Sequence, residues 1–241
     1  MLETLRQNQR YADADYNGVV PQVIVLKTTH QLMTNYNYLV IDPTSQHAVV
    51  VDPSWEMATI DHALVNARAR LNGILVTHGH PDHTDLAKPL AAKYQCPIWM
   101  SKEEIAASDF NARQLIGIDT APWAVGRMLI EPILTPGHTP GSVCYLIGDS
   151  VFTGDVLFAE GCGICPNIPA AHAMFASLMN LRTRLRPETR IFPGHSYGKP
   201  PGQMLSQLVK DNMYLQFPDK DSFAAFRLRS GQSVAKMFRF S

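Results

Sequence analysis

Uncompensated charge is missing from this chain. Lysine plus arginine number 21 and aspartate plus glutamate 21, for a formal net charge of zero. Bulk charge therefore points to neither a nucleic-acid footprint nor a membrane surface. Long apolar runs are missing too, since no segment approaches the ~18–20 residues of a membrane-spanning helix. Residues 1–17 are polar and charged, unlike an export signal or an anchor, so a cytoplasmic location is expected. Cysteine is scarce, with 4 in 241 residues, and a disulfide framework is not expected. Cys162 and Cys165 form a lone C-x-x-C without the second pair a zinc site needs. They read as small loop residues rather than as a redox or metal motif. Repeats, low-complexity tracts and linkers are absent as well. What remains is ordinary globular composition, 46% apolar and 17% charged. It predicts one domain over residues 1–241, with a short helical C-terminal extension from about residue 200.

Apolar periodicity divides that domain. Residues 22–27, 37–41 and 48–51 read as strands, the last two as a hairpin across Asp42-Pro43-Thr44-Ser45-Gln46. Residues 55–71 carry Met57, Ile60, Ala63, Leu64, Ala67 and Leu71 at helical spacing, with Asn72-Gly73 as the stop. A strand at 74–76, a helix at 85–94, a strand at 96–100 and a helix capped by Ser101 follow. Past Arg127, strands at 128–130, 143–147, 151–153 and 190–192 alternate with helices at 171–185 and 200–214. Strands, then a helix, then strands and helices again predict sheets covered by helices, an α/β sandwich.

Histidine concentrates where those strands end. Thr77-His78-Gly79-His80-Pro81-Asp82-His83 sets imidazoles beside a carboxylate, the donors that Zn, Fe and Mn accept most readily. On an extended backbone His78 and His80 point to one side. Pro81 then turns the chain before Asp82 and His83. The pattern suits two neighbouring metals, one at the histidine pair and one at the Asp-His pair. Further strand ends add Gly137-His138, Gly154-Asp155 and Gly194-His195, where glycine lets backbone and ion approach closely. Together these donors suffice for two metals sharing one carboxylate. Asp52, before Pro53 at another strand end, either supports such a site or caps the next helix.

The order H-x-H-x-D-H, G-H-T-x-G, G-D and G-H resembles the metallo-β-lactamase-fold hydrolases over about residues 23–195. The resemblance implies a four-layer αββα sandwich with metals at one edge of the sheets. It further implies His78, His80 and His138 on the first metal, and Asp82, His83 and His195 on the second. Asp155 would bridge them, and Asp52 would support the site without ligating. Within the family, Phe152-Thr153-Gly154-Asp155-Val156-Leu157-Phe158, Gly161-Cys162-Gly163 and His195-Ser196-Tyr197 are similar to glyoxalase II, the hydroxyacylglutathione thioester hydrolases. That likeness implies Tyr197 as a substrate contact, packing being the other reading. Two features depart from the group. Ile164 stands where a basic residue holds glutathione, and the stretch after His195 is shorter than the group's helical C-terminal region. Residues 157–166 and 192–198 look more like the zinc-dependent hydrolases of bacterial polyketide clusters with free-standing acyltransferases. The expected substrate therefore shifts from a glutathione thioester to a carrier-protein or related acyl thioester, with an acyl carrier protein as one candidate partner.

The chemistry follows from the donors. Two divalent ions ~3.5–4 Å apart share a hydroxide and lower the pKa of its parent water towards ~7. Zn is the expected ion, with Fe and Mn as alternatives. The metal-bridging hydroxide is expected to attack the thioester carbonyl, with Asp82 both ligating and orienting it, and a metal stabilising the oxyanion. A thiolate of pKa about 8.5 departs without a general acid, whereas an amide nitrogen must first be protonated. A phosphopantetheine phosphate calls for a cation, for which Arg227, Arg229, Lys236 and Arg239 are candidates, a solvated basic tail being the alternative. Competing readings are glyoxalase II proper, a mononuclear iron persulfide dioxygenase using His78, His138 and Asp155, hydrolysis of β-lactams, lactones or phosphodiesters, and a metal-stabilised scaffold or docking module.

Overall fold

Successive residues of a strand face opposite ways, and here both faces are apolar. The computed structural model describes residues 20–31 and 33–229. One sheet has the order β1 (Gln22–His30), β2 (Met33–Ile41), β3 (His47–Val51), β4 (Arg70–Leu75), β5 (Ile98–Ser101) and β6 (Leu115–Ile118). β1 to β3 pair antiparallel and β3 to β6 parallel. Parallel neighbours need crossovers. α1 (Met57–Ala67) joins β3 to β4, α2 (Pro81–Thr84) and α3 (Ala87–Tyr94) join β4 to β5, and α4 (Lys102–Ala107) joins β5 to β6. The second sheet contains β7 (Trp123–Val125), β8 (Met128–Leu134), β9 (Val143–Ile147), β10 (Ser150–Gly154), β11 (Arg190–Pro193) and β12 (Gln203–Met204), side by side in chain order. β10 and β11 run parallel, connected by α5 (Ile168–Arg184). α6 (Leu205–Asp211), a 3-10 turn at Met213–Leu215 and α7 (Lys220–Arg227) complete the described chain.

Three apolar clusters define four layers. Tyr38, Val40, Val49 and Val51 meet Ile130, Val143, Tyr145 and Phe152 between the sheets. Their neighbours Leu39, Ile41, Ala48 and Val50 face the other way, onto Ile60 and Leu64 of α1 and Leu90 of α3. On the far side, Cys144, Val151 and Ile191 pack against Met174, Leu178 and Leu181 of α5, with Leu205, Leu208 and Phe223. This is the expected αββα sandwich. Burial on both faces explains why the central strands read as continuous apolar runs.

Three local expectations need correction. α1 stops at Ala67 rather than Leu71. Arg68 takes φ +53, and the N–H groups of Arg68 and Ala69 fold back onto Val65 and Leu64 at 3.0 and 2.9 Å, a left-handed helix stop. Leu71 reaches the same outer cluster from β4, so helical spacing and strand burial coincide at that residue, and Asn72 and Gly73 lie inside the strand. Residues 200–214 are not one helix. Gln203 and Met204 pair with β11, α6 begins only at Leu205, and the Asn212 side chain caps the 3-10 turn. Finally, Arg227 is no solvated tail residue, being 3% exposed. Lys236 and Arg239 lie outside the described residues. No helix among the described residues is long and apolar enough to cross a membrane.

Leu178 is fully buried between α5 and the second sheet. Leu178→Ala is expected to destabilise the fold by about 2–5 kcal/mol, read as a lower urea midpoint with an unchanged slope.

Candidate metal centre

Strand ends deliver the polar residues to one edge of the sandwich. His78 and His80 follow β4, Asp82 and His83 sit in α2, His138 follows β8, Asp155 follows β10 and His195 follows β11. Their donor atoms gather in three groups, each within 4.8 Å: His78–His80–His138, Asp82–His83–His195 and His78–His83–Asp155. Close approach is built into the chain at Gly194, where a Cβ would lie 2.4 Å from His83 Cε1 and 2.9 Å from Asp155 Oδ1.

Hydrogen bonds decide which ring nitrogen faces the centre. A carbonyl or carboxylate oxygen accepts, so the nitrogen beside it carries the proton. Nδ1 of His138 donates to the Ile164 carbonyl, Nδ1 of His195 to the Thr34 carbonyl and Nδ1 of His83 to Asp52, each at 2.9 Å. The Thr77 hydroxyl donates to Asp52 at 2.7 Å and is left to accept from Nδ1 of His78 at 3.1 Å. In each neutral ring Nε2 then holds the lone pair. Nε2 of His78 and of His138 lie 2.9 and 3.1 Å from Nδ1 of His80, so three nitrogens surround one point. Nε2 of His83 and of His195 lie 3.4 and 3.3 Å from Asp82 Oδ2, and 3.5 and 3.6 Å from Asp155 Oδ1. The other oxygen, Asp155 Oδ2, faces His138 Nε2 at 3.5 Å. One carboxylate therefore spans both trios.

Among the described residues, the buried atoms His83 Nε2 and Asp155 Oδ1 have no hydrogen-bond partner. Buried polar atoms are rarely left so, and lone pairs converging on a point repel until a cation or proton lies between them. Together with the imidazole–carboxylate donor set, the orphaned atoms fit divalent ions.

Charge is arranged to match. Burial pushes the Asp82 carboxyl up, but the facing His195 and His83 rings, with the Asn35 amide, outweigh it and hold the group well below the usual carboxylate range. Asp155 is lowered too, the surrounding His195, His83 and His138 overcoming its burial. Burial opposes protonation of His83, yet Asp155 and Asp52 raise it well above the ordinary histidine value. His78 moves the other way, lowered by burial and by the neighbouring rings. An imidazole kept neutral is a ready metal donor.

Three supporting residues carry no motif of their own. The Asn35 amide donates to the Asp82 carbonyl at 2.7 Å and to its Oδ2 at 3.2 Å. Thr77 relays Asp52 to His78. Glu104 lies between the loops of His80 and His138. The only sequence signal at any of them is the Ser-x-x-Glu helix start that includes Glu104.

A cleft of about 1040 Å³ opens over the centre, lined by His80, Asp82, His138, Asp155 and His195, with Met33, Phe110, Ile164 and Tyr197 among its walls. Burial pushes the Tyr197 phenol up, and its ring lies 5.4 Å from that of Phe158. Arg227 and Arg229 are not in the lining. Arg227 Nε donates to the Gly163 carbonyl at 2.8 Å beneath the site, and Arg229 stacks on Phe226 at 3.6 Å. Among the described residues the lining holds one lysine, Lys88, and no arginine. Cys162 and Cys165 are buried free thiols, and burial pushes that of Cys165 up to about 11, so neither resembles a reactive thiolate.

The pattern of the Metallo-beta-lactamase superfamily matches residues 33–195, and the chain belongs to that superfamily. Two relatives narrow the neighbourhood. The chain is 43% identical over 213 residues, 88% of itself and 95% of the relative, to a protein of Bacillus velezensis named probable polyketide biosynthesis zinc-dependent hydrolase BaeB. It is 41% identical over 209 residues, 86% of itself and 93% of the relative, to the Bacillus subtilis protein of the same description, PksB. A metallo-beta-lactamase from Staphylococcus aureus shares the fold, with a TM-score of 0.79 at 20% identity, covering 92% of this chain and 71% of that one.

Asp52→Ala would strip Thr77 N–H, the Thr77 hydroxyl and His83 Nδ1 of their acceptor. A loss of about 1–3 kcal/mol is expected for each buried donor left unmatched, measured by denaturant unfolding in excess chelator. An unchanged midpoint would show that Asp52 does not carry these loops.

Proposed function

We propose that the protein is a dinuclear zinc-dependent hydrolase of polyketide biosynthesis that cleaves acyl thioesters, with the acyl group on a carrier protein's phosphopantetheine arm. Asp155 carries the reading, because its two oxygens face two separate histidine-rich trios. His78, His80 and His138 would hold one ion, Asp82, His83 and His195 the other, and Asp155 both. Bound there, the ions supply Lewis acidity and an acidified water. The names of the two Bacillus relatives support zinc, hydrolysis and the polyketide setting.

The chain's own residues account for the rest. Asp82, kept ionised and held by Asn35, can accept a hydrogen bond from an attacking water and so aim it. Tyr197, kept protonated by burial, offers the cleft a donor for a substrate oxygen. Met33, Phe110 and Ile164 give the cleft apolar walls against which an acyl chain can lie. A thiolate leaving group of pKa about 8.5 needs no proton at neutral pH, which suits a thioester better than an amide. At Ile164 the cleft has no cation for glutathione. The lysine of the lining, Lys88, sits with its ammonium 5.2 Å over the Phe110 ring and supplies a single positive charge, matching one phosphodiester.

One acyl group presented on a carrier protein, on coenzyme A, on glutathione and on N-acetylcysteamine tests the reading. Carrier-protein thioester should be hydrolysed fastest, with activity lost to chelator and restored by zinc. Zinc-loaded protein that turns over none of the four would overturn it. Lys88→Ala is expected to raise KM for the phosphopantetheine substrates about tenfold, the equivalent of ~1.4 kcal/mol. N-acetylcysteamine thioester lacks the phosphate and should be unaffected.

A further inference from the structure

We propose that Glu104 is the positioning residue of the first trio, a buried carboxylate clamp that sets His80 against His138. The proposal rests on the two-metal reading above. Glu104 is 2% exposed and stands in the first turn of α4, where Ser101 Oγ caps the helix by accepting the Glu104 N–H at 3.0 Å. In a Ser-x-x-Glu start the glutamate commonly turns back to the amide of the capping residue. Here it reaches away from its helix. Oε1 accepts the Gly79 N–H at 2.7 Å. Oε2 accepts the Thr139 hydroxyl at 2.6 Å and the Gly141 N–H at 3.1 Å.

Those partners are telling. Gly79 lies between His78 and His80, and Thr139 follows His138, so one carboxylate ties together the two loops that supply the first trio. The loops also rest directly on α4, since a Cβ at Gly141 would lie 2.0 Å from the Glu104 nitrogen. α4 ends at Ala107, which with the following Ser108, Asp109 and Phe110 forms one wall of the cleft. Glu104 thereby holds the histidines and the substrate wall in one register. The second trio has other supports: Asn35 on Asp82, Asp52 on His83 and the Thr34 carbonyl on His195. Removing the clamp should therefore be felt by one metal site and not by the other.

Glu104→Gln keeps the shape but replaces one acceptor oxygen with a donor, and Glu104→Ala removes both. Zinc titration of the full chain against a chromophoric chelator should show one of two sites weakened about 10–100-fold, more in Glu104→Ala than in Glu104→Gln, and the other unchanged. In a His195→Ala background, where the second site is crippled, the remaining site should weaken by the same factor. Glu103→Ala, an exposed neighbour on the same helix, should bind zinc like wild type. Metal-free protein gives an independent readout: the Gly79 and Gly141 amides should be protected from hydrogen exchange in wild type, and Glu104→Gln, left with one acceptor oxygen, should cost at least one of them that protection, which also covers an Ala variant that fails to fold. Both zinc sites unchanged, or both weakened in parallel, would overturn the proposal, as would unaltered exchange at Gly79 and Gly141. Wild-type protein that binds fewer than two zinc ions would overturn the two-metal reading instead, with the exchange experiment still deciding the clamp.

Discussion

A buried carboxylate, Asp52, is the point on which the centre depends. It directly follows β3 in the left-handed region, at φ +47, a conformation that costs a non-glycine residue about 1–3 kcal/mol and persists only where its surroundings impose it. Here they do. The Asn37 amide donates to the Asp52 carbonyl at 2.7 Å, and the side chain then reaches the end of β4, where Oδ1 accepts the Thr77 N–H at 2.8 Å. Oδ2 takes the Thr77 hydroxyl and His83 Nδ1. Through Thr77 it also fixes the ring of His78. One strained residue therefore sets a tautomer in each trio, and the ends of two adjacent parallel strands cannot separate without exposing it.

Beyond Asp52 the supports diverge, following the topology. Parallel strands release their loops at the same edge of a sheet, and that is where α/β proteins place ligands. β3 and β4 in one sheet, and β10 and β11 in the other, end around the same centre. The hairpin strand β2 contributes Thr34 and Asn35 from the side of the second trio, while α4 contributes Glu104 from the side of the first. The two trios thus share Asp52 and Asp155 but lean on different parts of the sandwich.

That division explains what could be read in the sequence. The seven residues that meet at the centre were visible because their chemistry is intrinsic and because Gly and Pro mark each strand end locally. The layers were visible because residues 38–41 and 48–51 are apolar on both faces. Glu104 and Asn35 were not visible, because their partners lie 25 and 47 positions away and only folding identifies them. Leu71 misled because its burial satisfies both periodicities. Arg227 misled because a basic residue near a C-terminus looks solvated, whereas its stem and guanidinium are buried beneath the site against Gly163 and the Tyr214 ring.

Under the proposed function, Ile164 would keep substrate choice and metal chemistry apart in one loop. Its carbonyl accepts from His138 Nδ1, and any residue type would supply that contact. Its side chain lines the cleft, where residue type matters. A basic residue there would add a cation to the cleft without disturbing the His138 tautomer. An isoleucine leaves the wall apolar and the His138 support intact. Orientation of the histidine is thus a main-chain property and the polarity of the wall a side-chain property, so the second can change while the first stays fixed.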